Sequence, residues 1–497
     1  MVDDLCTTVA FLRRMINDHD SWAHRLPPEM LVTVASHLED DTFLVTATHV
    51  CHLWRTTLLS SSRLWSNLDF ISEECALAFL GRSKSAPLVV DLMDVYTPSE
   101  IVRESLNDIA TRATTIRAEH SPFLDELLAR PMPMLEVLEI TESDELPPKK
   151  PAHLPSLTSL TIYGFDLLLF HAPLLTSFHL THDSINASQE LTAGTLLNFL
   201  RNCPLLETVF FDCIVLPDFD EVVSLPLLRS FTHESPCDEY QLYLFDRLSL
   251  PSTCQVVLKI DVTEHGPNPW VPSLPTPRNA SYLSDIRTIK ITADSCHPPD
   301  VDDNHVTFRT ELVNSKHKAI SFERISYYSR HPSPFSYRGF LGIPESVGID
   351  SIETLCFDGY PIHTGLELRG IIPAPMAQEL WKFQNLKTLV LARCSIALFL
   401  DKASSCPTID TLVHRAYDFY VDLLQMQEFA ESRKKAGHPL KTVTLVYPFA
   451  KPCPSQLEEL RNCVGLVKVV SGNDASGWDT DEYLLDMATH EDNPNRS

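Results

Sequence analysis

The sequence predicts an α/β protein in which a short all-α module is followed by an irregular solenoid of parallel strands with helical or loop returns. Apolar residues first recur at helical spacing. From about Ala86 they follow a different phrase, apolar-x-x-apolar-x-apolar, which returns many times along the chain. The 497 residues, 44% of them apolar, suffice for about three units with buried cores.

Residues 1–24 form the first predicted element, an amphipathic helix. Leu5, Val9, Leu12 and Ile16 are spaced by four, three and four residues, which places them on one face of a helix. This apolar face is available to pack on the residues that follow.

Residues 25–70 form the predicted all-α module. Proline followed by Glu29 suits a first helical turn, and an apolar stripe continues that helix from Leu31 to Leu38. A polar stretch then interrupts the pattern, and a second helical stripe runs from Phe43 to Trp54. The module is therefore helical throughout.

The repeated phrase defines two blocks, residues 86–260 and 351–470. Helical stretches are predicted between several copies, at residues 191–201, 376–383 and 425–435, so the repeating unit is strand, helix or loop, strand. The copies begin at Leu135, Leu157, Leu175, Leu206, Leu228, Ile286, Ile352, Leu386, Ile409 and Leu440.

Three cysteines, Cys203, Cys406 and Cys463, occupy the same phase of the repeat, three residues before the first apolar position of a strand. This phase favours a small buried hydrophobic residue over a redox or metal role.

A Pro-rich, polar insert, residues 261–350, separates the two blocks. Within it Val306 and Phe308 alternate on one side of a loop, and Ile320 and Phe322 alternate on the other. This pattern predicts a hairpin.

The all-α module resembles the F-box, which docks on the Skp adaptor of cullin-type ubiquitin ligases. The match rests on the Leu-Pro start, the apolar spacing of the helices and the interval from Val50-Cys51 to Trp54. Phe43 and His52 depart from the family pattern, and an arbitrary helical hairpin remains the other interpretation. The resemblance implies these adaptor-binding residues: Leu26, Pro27, Glu29, Met30, Leu31, Val34, Leu38, Leu44, Val50, Cys51 and Trp54.

The repeated phrase resembles a degenerate leucine-rich repeat. An F-box followed by such irregular repeats is similar to the large F-box families of mushroom-forming fungi. The spacing varies from 18 residues, between Leu157 and Leu175, to 31 residues, between Leu175 and Leu206. A generic α/β domain with alternating strands and helices therefore stays open as an alternative.

Composition and motifs argue against several functions. A formal charge of −26 disfavours a nucleic-acid surface, and no apolar run reaches the roughly 18 residues that a membrane span needs. No secretory signal is recognisable, so we expect the cytoplasm or nucleus. Thirteen cysteines without a Cys-x-x-Cys pair and the absence of common catalytic motifs predict no cofactor, no metal and no enzyme activity.

Titratable residues near the predicted strands have simpler interpretations than catalysis. His233 and His414 occupy an apolar position of the phrase, which predicts buried core histidines. Asp183, Asp212 and Asp358 follow strands without a partner at a defined spacing, which predicts solvated strand ends.

Two function classes remain. In the first, the chain is the substrate-recognition subunit of a Skp-cullin-F-box ligase, which binds the adaptor through the F-box and a target protein through the repeats. In the second, it is a hydrolase or transferase of unknown type on an α/β scaffold.

The target-binding surface is predicted on the sheet face that the phrase leaves outside. Side chains alternate along a strand, so the residues before, between and after the last two apolar positions share that face. Its aromatic and charged members are typical binding anchors, and we predict target contacts by Tyr163, His179, Phe210 and Asp212. The same column contains Thr354, Cys356, Asp358, Thr411, Val413 and Arg415.

Residues 471–497 are predicted to form an acidic, disordered tail, because seven of them are Asp or Glu and one is Arg. We expect rapid amide exchange and early proteolysis from about Ser471 onward. Hydrogen-exchange mass spectrometry measures this directly. Strong protection around Trp478 or Tyr483 would show instead that the tail docks on the body.

Overall fold

The computed structural model divides the chain into two compact units, residues 1–181 with 198–205 and residues 182–197 with 206–497. The structure describes residues 7–9, 11, 12, 15, 26–38, 41–70, 72–93, 99–119, 121–141, 152–163, 170–181, 193–212, 222–235, 248–251, 253–262, 286–296, 304–314, 319–328, 349–359, 383–392, 396, 408–415, 419–447 and 454–471.

The first unit begins with the helical module. Its elements are α1 (Pro28–Ser36), α2 (Asp41–Ala47), α3 (His52–Ser60) and a 3-10 turn (Ser62–Trp65). Helix α1 starts where the sequence predicts, with Pro28 and Glu29 in its first turn. Leu31 and Ala35, four residues apart, form its buried face.

Trp65 connects the helical module to the rest of the first unit. Its side chain is fully buried, and its indole Nε1 donates a hydrogen bond to the carbonyl of Leu58 at 2.8 Å. The edge of one ring meets Phe79 at a centroid distance of 4.8 Å, and the guanidinium of Arg82 lies 4.6 Å from the indole centroid. Phe79 and Arg82 belong to the next helix, so one side chain holds α3 and that helix together.

The first unit continues as a parallel sheet. β1, β2, β3, β4, β6 and β8 pair in that order, and every pairing is parallel. β5 and β7 form a separate two-residue parallel ladder. The elements are β1 (Asn67–Asp69), α4 (Glu73–Ser83), β2 (Leu88–Leu92), α5 (Glu100–Glu104), α6 (Leu106–Arg112), β3 (Ala113–Glu119), α7 (Pro122–Leu128), β4 (Val137–Thr141), β5 (Ala152–His153), β6 (Ser159–Tyr163), β7 (Phe170–His171) and β8 (Ser177–Thr181).

The core of the first unit is built from the repeated phrase. Leu138, Leu160 and Phe178 stand in register on neighbouring strands, and all three are buried. Strands β4, β6 and β8 alternate strictly, with the second and fourth residues buried and the others half-exposed. Each buried side chain of this size contributes about 1.5 to 3 kcal/mol relative to exposure.

The second unit contains a longer sheet. Its strands pair in the order β9, β11, β13, β16, β15, β14, β17, β18, β19, β20, β21. The elements from the boundary onward are α8 (Ala193–Arg201), β9 (Thr208–Asp212), β10 (Val223–Ser224), β11 (Ser230–Ser235), β12 (Leu248–Ser249), β13 (Gln255–Val262), β14 (Ile286–Cys296), β15 (Asn304–Asn314), β16 (Ala319–Tyr328), β17 (Thr354–Gly359), β18 (Thr388–Ala392), β19 (Thr411–Arg415), α9 (Phe419–Lys435), β20 (Thr442–Tyr447), α10 (Pro454–Cys463) and β21 (Leu466–Ser471).

The stretch predicted as an insert supplies strands of the sheet itself. β15 and β16 form an antiparallel hairpin in which Phe308 pairs in register with Arg324 and Leu312 pairs with Ile320. β14 pairs antiparallel with β15, and the outer strands of this trio pair parallel with β13 and β17. The trio therefore continues the ladder between two parallel segments.

Two glycines mark where the return helices end in the second unit. Gly437 has φ +85° after α9, and the next amide, of His438, donates to the carbonyl of Arg433 at 3.0 Å. This Schellman arrangement satisfies a helix-end carbonyl. At Gly465 a Cβ would lie 2.9 Å from the carbonyl oxygen of Lys441, so only glycine allows this close approach before β21.

The second block departs from the predicted one-sided sheet. Thr354, Cys356 and Val413 were predicted to face outward, but all three are buried, as is Asp358, which was predicted to be a solvated strand end. Cys356 and Val413 belong to an apolar cluster on that face. The prediction is wrong for β17 and β19 because these strands are buried on both faces, and Thr411 and Arg415 alone stay half-exposed.

The two core histidines lie where the sequence places them. His233 is fully buried, and His414 is 1% exposed. The His233 ring meets Phe211 and Phe231 nearly edge-on, at centroid distances of 6.2 and 6.5 Å. His233 therefore acts as a core side chain.

Cys203 fits the predicted buried phase. Its thiol lies 3.7 Å from the carbonyl oxygen of Ala172, and burial raises the pKa of the Cys203 thiol from 9.0 to about 12. Cys463 is half-exposed, and Cys406 lies outside the described residues.

We expect Cys203 to resist alkylation at pH 8, because the thiolate is the nucleophile and its raised pKa leaves the neutral thiol dominant. Iodoacetamide labelling of the native protein, read by peptide mass spectrometry, should modify Cys203 at least tenfold more slowly than the half-exposed Cys75. In denaturant the two rates should converge.

Because the pKa of Cys203 is raised in the folded state, the contribution of its neutral thiol to the free energy of unfolding is present below pH 9 and is lost as pH rises toward 12. Equal labelling rates of Cys203 and Cys75 in the native protein would contradict the predicted resistance of Cys203.

Candidate functional site

An exposed apolar stripe runs along helix α1. Leu26, Met30, Val34 and Leu38 follow one another at intervals of four residues; Met30 and Val34 lie on the same side of α1, and Leu26 and Leu38 lie just before and just after the helix. Their exposed fractions run from 37% to 50%, whereas Leu31 on the other side is 1% exposed. An isolated helix of this kind leaves a row of apolar side chains in water, which is typical of a protein-binding surface.

Two further apolar side chains of the module are more exposed. Phe43 in α2 is 60% exposed, and Val50 before α3 is 59% exposed. Together with the stripe on α1 they make up what we call the exposed apolar set: Leu26, Met30, Val34, Leu38, Phe43 and Val50.

The remaining adaptor-binding residues predicted from sequence divide into three groups by exposure. Pro27 and Glu29 are exposed, and Cys51 and Trp54 are half-buried. Leu31 and Leu44 are buried inside the module, at 1% and 5% exposure. These two leucines therefore pack inside the module and hold its helices together, and their predicted part in adaptor binding stays a prediction. The exposure of Phe43 was not predicted, because the sequence analysis placed it in the apolar stripe of the second helix and noted it as a departure from the family pattern.

The N-terminal helix also exposes apolar residues. Val9 and Leu12 are helical and are 40% and 52% exposed, and Phe11 and Met15 are exposed as well. The expected packing of the Val9 and Leu12 face is therefore not observed, and Leu5 and Ile16 lie outside the described residues.

The predicted target-binding residues fall on both units. In the first unit Tyr163 and His179 are half-exposed with ring centroids 6.4 Å apart, and His179 Nε2 lies 3.2 Å from the hydroxyl of Thr181. In the second unit Phe210 and Asp212 are half-exposed on β9. Two of the four residues thus belong to the first unit and two to the second.

The register of the second pair adds a charged neighbour. Phe210 stands opposite Thr232, and Asp212 stands opposite Glu234, which forms an ion pair with Lys259 on the next strand. This part of the β9 to β13 face therefore carries both an aromatic side chain and charges of both signs.

A polar cavity of about 200 Å³ lies at the strand starts of the second unit. Glu353 accepts from Arg287 and from Lys387, each at 3.1 Å, inside this cavity. Both cations share the single carboxylate of Glu353, so the cavity contains a structural ion-pair network.

Within the described part of the chain, no group of three or more His, Cys, Asp or Glu side chains is arranged to hold a metal ion. None of the helices in the described ranges is long and apolar enough to cross a membrane.

Comparison with known families identifies the helical module. Residues 23–71 match the F-box-like family, which covers the predicted span of 25–70 and includes the whole exposed apolar set. The chain carries an F-box-like domain. The F-box resemblance is therefore confirmed for this segment. Comparison of the chain with curated proteins finds no match.

Proposed function

We propose that the chain is the substrate-recognition subunit of a Skp-cullin-F-box type ubiquitin ligase. The F-box binds a Skp-type adaptor, and through it a cullin, while the sheets hold a target protein. The single observation that carries this proposal is the exposed apolar set on a segment that matches the F-box-like family. This chain performs no catalysis itself and uses no cofactor, and it works in the cytoplasm or nucleus.

Physical chemistry favours a protein partner for the exposed apolar set. Each of its side chains is about half-exposed, so complete burial of one contributes roughly half of the usual 1.5 to 3 kcal/mol. The six side chains of the set together contribute about 4.5 to 9 kcal/mol before the cost of association is subtracted, so they supply part of the binding energy and the rest comes from other contacts. Leu31 and Ala35 keep the helix folded while the other side binds.

The contribution to ligation is proximity. A receptor that holds the adaptor at one end and the target at the other raises the effective concentration of target lysines near the conjugating enzyme. Such a subunit needs rigid surfaces rather than titratable groups at defined spacing.

The adaptor contact predicts a clear mutational effect. The double change Met30→Ala and Val34→Ala removes two exposed apolar side chains without touching the buried Leu31, so we expect affinity for a purified Skp-type adaptor to fall at least tenfold. Isothermal titration calorimetry measures this, with circular dichroism to check that the fold is retained.

Ser36→Ala is the matched control on the same helix. Ser36 is exposed and bonds only locally, from its hydroxyl to the carbonyl of Thr33 at 2.8 Å. It should bind like the wild type. Unchanged affinity in the double variant, or no binding by the wild type, would reject the F-box assignment of function.

For the sheets, we propose degenerate leucine-rich repeats of the kind found in the large fungal F-box families. Parallel strands in register on the apolar phrase support this, as does the return of α9 and α10 between β19, β20 and β21. We further propose that Tyr163, His179, Phe210 and Asp212 contact the target.

The target contact predicts a selective loss. Tyr163→Ala combined with Phe210→Ala should reduce the capture of targets in a proximity-labelling comparison and leave adaptor affinity unchanged, because aromatic anchors dominate protein interfaces. The matched control is Thr161→Ala with Thr208→Ala on the same two strands. An unchanged set of labelled proteins would remove these aromatics from the target surface.

The alternative, a hydrolase or transferase on the α/β scaffold, has no specific support. In the described residues the polar cavity is lined by the ion pairs of Glu353 with Arg287 and Lys387. His233 and His414 are buried in the core.

A further inference from the structure

The short ladder of β5 and β7 brings two histidines together. His153 and His171 are direct register partners on these parallel strands, and both side chains are exposed. Their Nδ1 atoms lie 3.1 Å apart, and their rings are tilted by 30° with centroids 5.0 Å apart. Neither residue belongs to the F-box or to the predicted target surface.

The pairing follows from the repeat. His153 lies seven residues before Leu160 and His171 lies seven residues before Phe178, so both occupy the same position of an 18-residue unit. Leu160 and Phe178 are register partners in the main sheet, which fixes the register of the two histidines as well. The repeat itself therefore places one imidazole beside the other.

The backbone that carries the rings is held on both sides. Ala152 and Leu154 flank His153, Phe170 and Ala172 flank His171, and all four flanking residues are buried. The amide of Leu154 also donates to the carbonyl of His171 at 3.1 Å. Because the neighbours point inward, both histidines project outward from the ladder, already close together.

The distance between the nitrogens matches the bite of a metal ion. Imidazole nitrogens bind Zn²⁺ at about 2.0 to 2.1 Å, which separates two ligands by about 2.8 to 3.0 Å at a right angle and about 3.3 to 3.4 Å at a tetrahedral angle. The observed 3.1 Å falls between these limits. Both Nδ1 atoms can turn their lone pairs to one ion when the ring protons reside on Nε2.

We propose that His153 and His171 form a two-histidine site for a divalent transition ion of the nickel, copper and zinc group, with water completing the coordination. Imidazole pairs suit these ions, and copper binds most tightly of the three by the usual order of stability. The carboxylate-preferring ions Mg²⁺ and Ca²⁺ do not fit two nitrogen ligands. The site is independent of the proposed ligase function.

The test uses the whole chain and the Cu²⁺ complex of nitrilotriacetate as the probe. This chelate leaves two adjacent coordination positions, so it selects paired imidazoles from the 20 histidines of the chain. Calorimetric titration of the wild type should show one chelate bound tightly per chain. Its affinity should fall at least tenfold in His153→Gln and in His171→Gln, because each variant keeps only one imidazole. Electron spin-echo spectroscopy of the bound copper should report two imidazoles in the wild type and one in each variant.

The matched control is His438→Gln, which removes an exposed histidine beyond the end of α9. This variant should bind the copper chelate with the affinity of the wild type. Either of two results would overturn the proposal: the same affinity in the wild type and both single variants, or a loss in the control as large as theirs. Since both rings are exposed, both variants should unfold at the same temperature as the wild type. If one variant is destabilised, the copper affinity of the other variant is used to test the proposal.

Discussion

The register of parallel strands is the constraint on which the structure rests. Strands β4, β6 and β8 of the first unit each have two buried apolar side chains, such as Leu160 and Ile162, and cannot cover them alone. Parallel pairing in register sets these side chains beside those of the next strand, so burial is shared along the sheet. A shift by one residue would turn the apolar side chains to the opposite face. The helices, the half-exposed face and the histidine pair are all positioned by this register.

The sequence was sufficient to predict the strands where alternation was strict and insufficient where it was not. In Ser159–Tyr163 apolar and polar residues alternate, and the burial follows. In Thr388–Ala392 every residue after the threonine is apolar, and the whole strand is buried. A continuous apolar run is the pattern of a strand covered on both faces, and it distinguishes the second block from the first. The phrase alone fixes only one face, which is why Cys356 and Val413 were assigned to solvent.

The helical module illustrates a related limit. Helical spacing predicted α1 and its start, but apolar residues occur on two sides of this helix. Periodicity cannot say which side meets the module's own core, because that depends on how α1 packs against other helices. Burial resolves it: Leu31 and Ala35 face inward, and Met30 and Val34 remain in water. The adaptor residues taken from the family resemblance therefore combine exposed residues with core residues, and only the structure separates them.

Trp65 explains how the F-box-like module and the first sheet can be held together, as the proposed receptor role requires. Its buried indole is held by the carbonyl of Leu58 in α3 and packs against Phe79 in α4, and β1 begins two residues later. A flexible linker at this point would let the F-box and the first strands reorient freely, which would dilute the effective concentration of a bound target. Because the Trp65 side chain is buried between α3 and α4, it prevents the helical module and the first strands from reorienting. Proximity then becomes a property of the fold, and the surfaces of the first sheet remain free to vary.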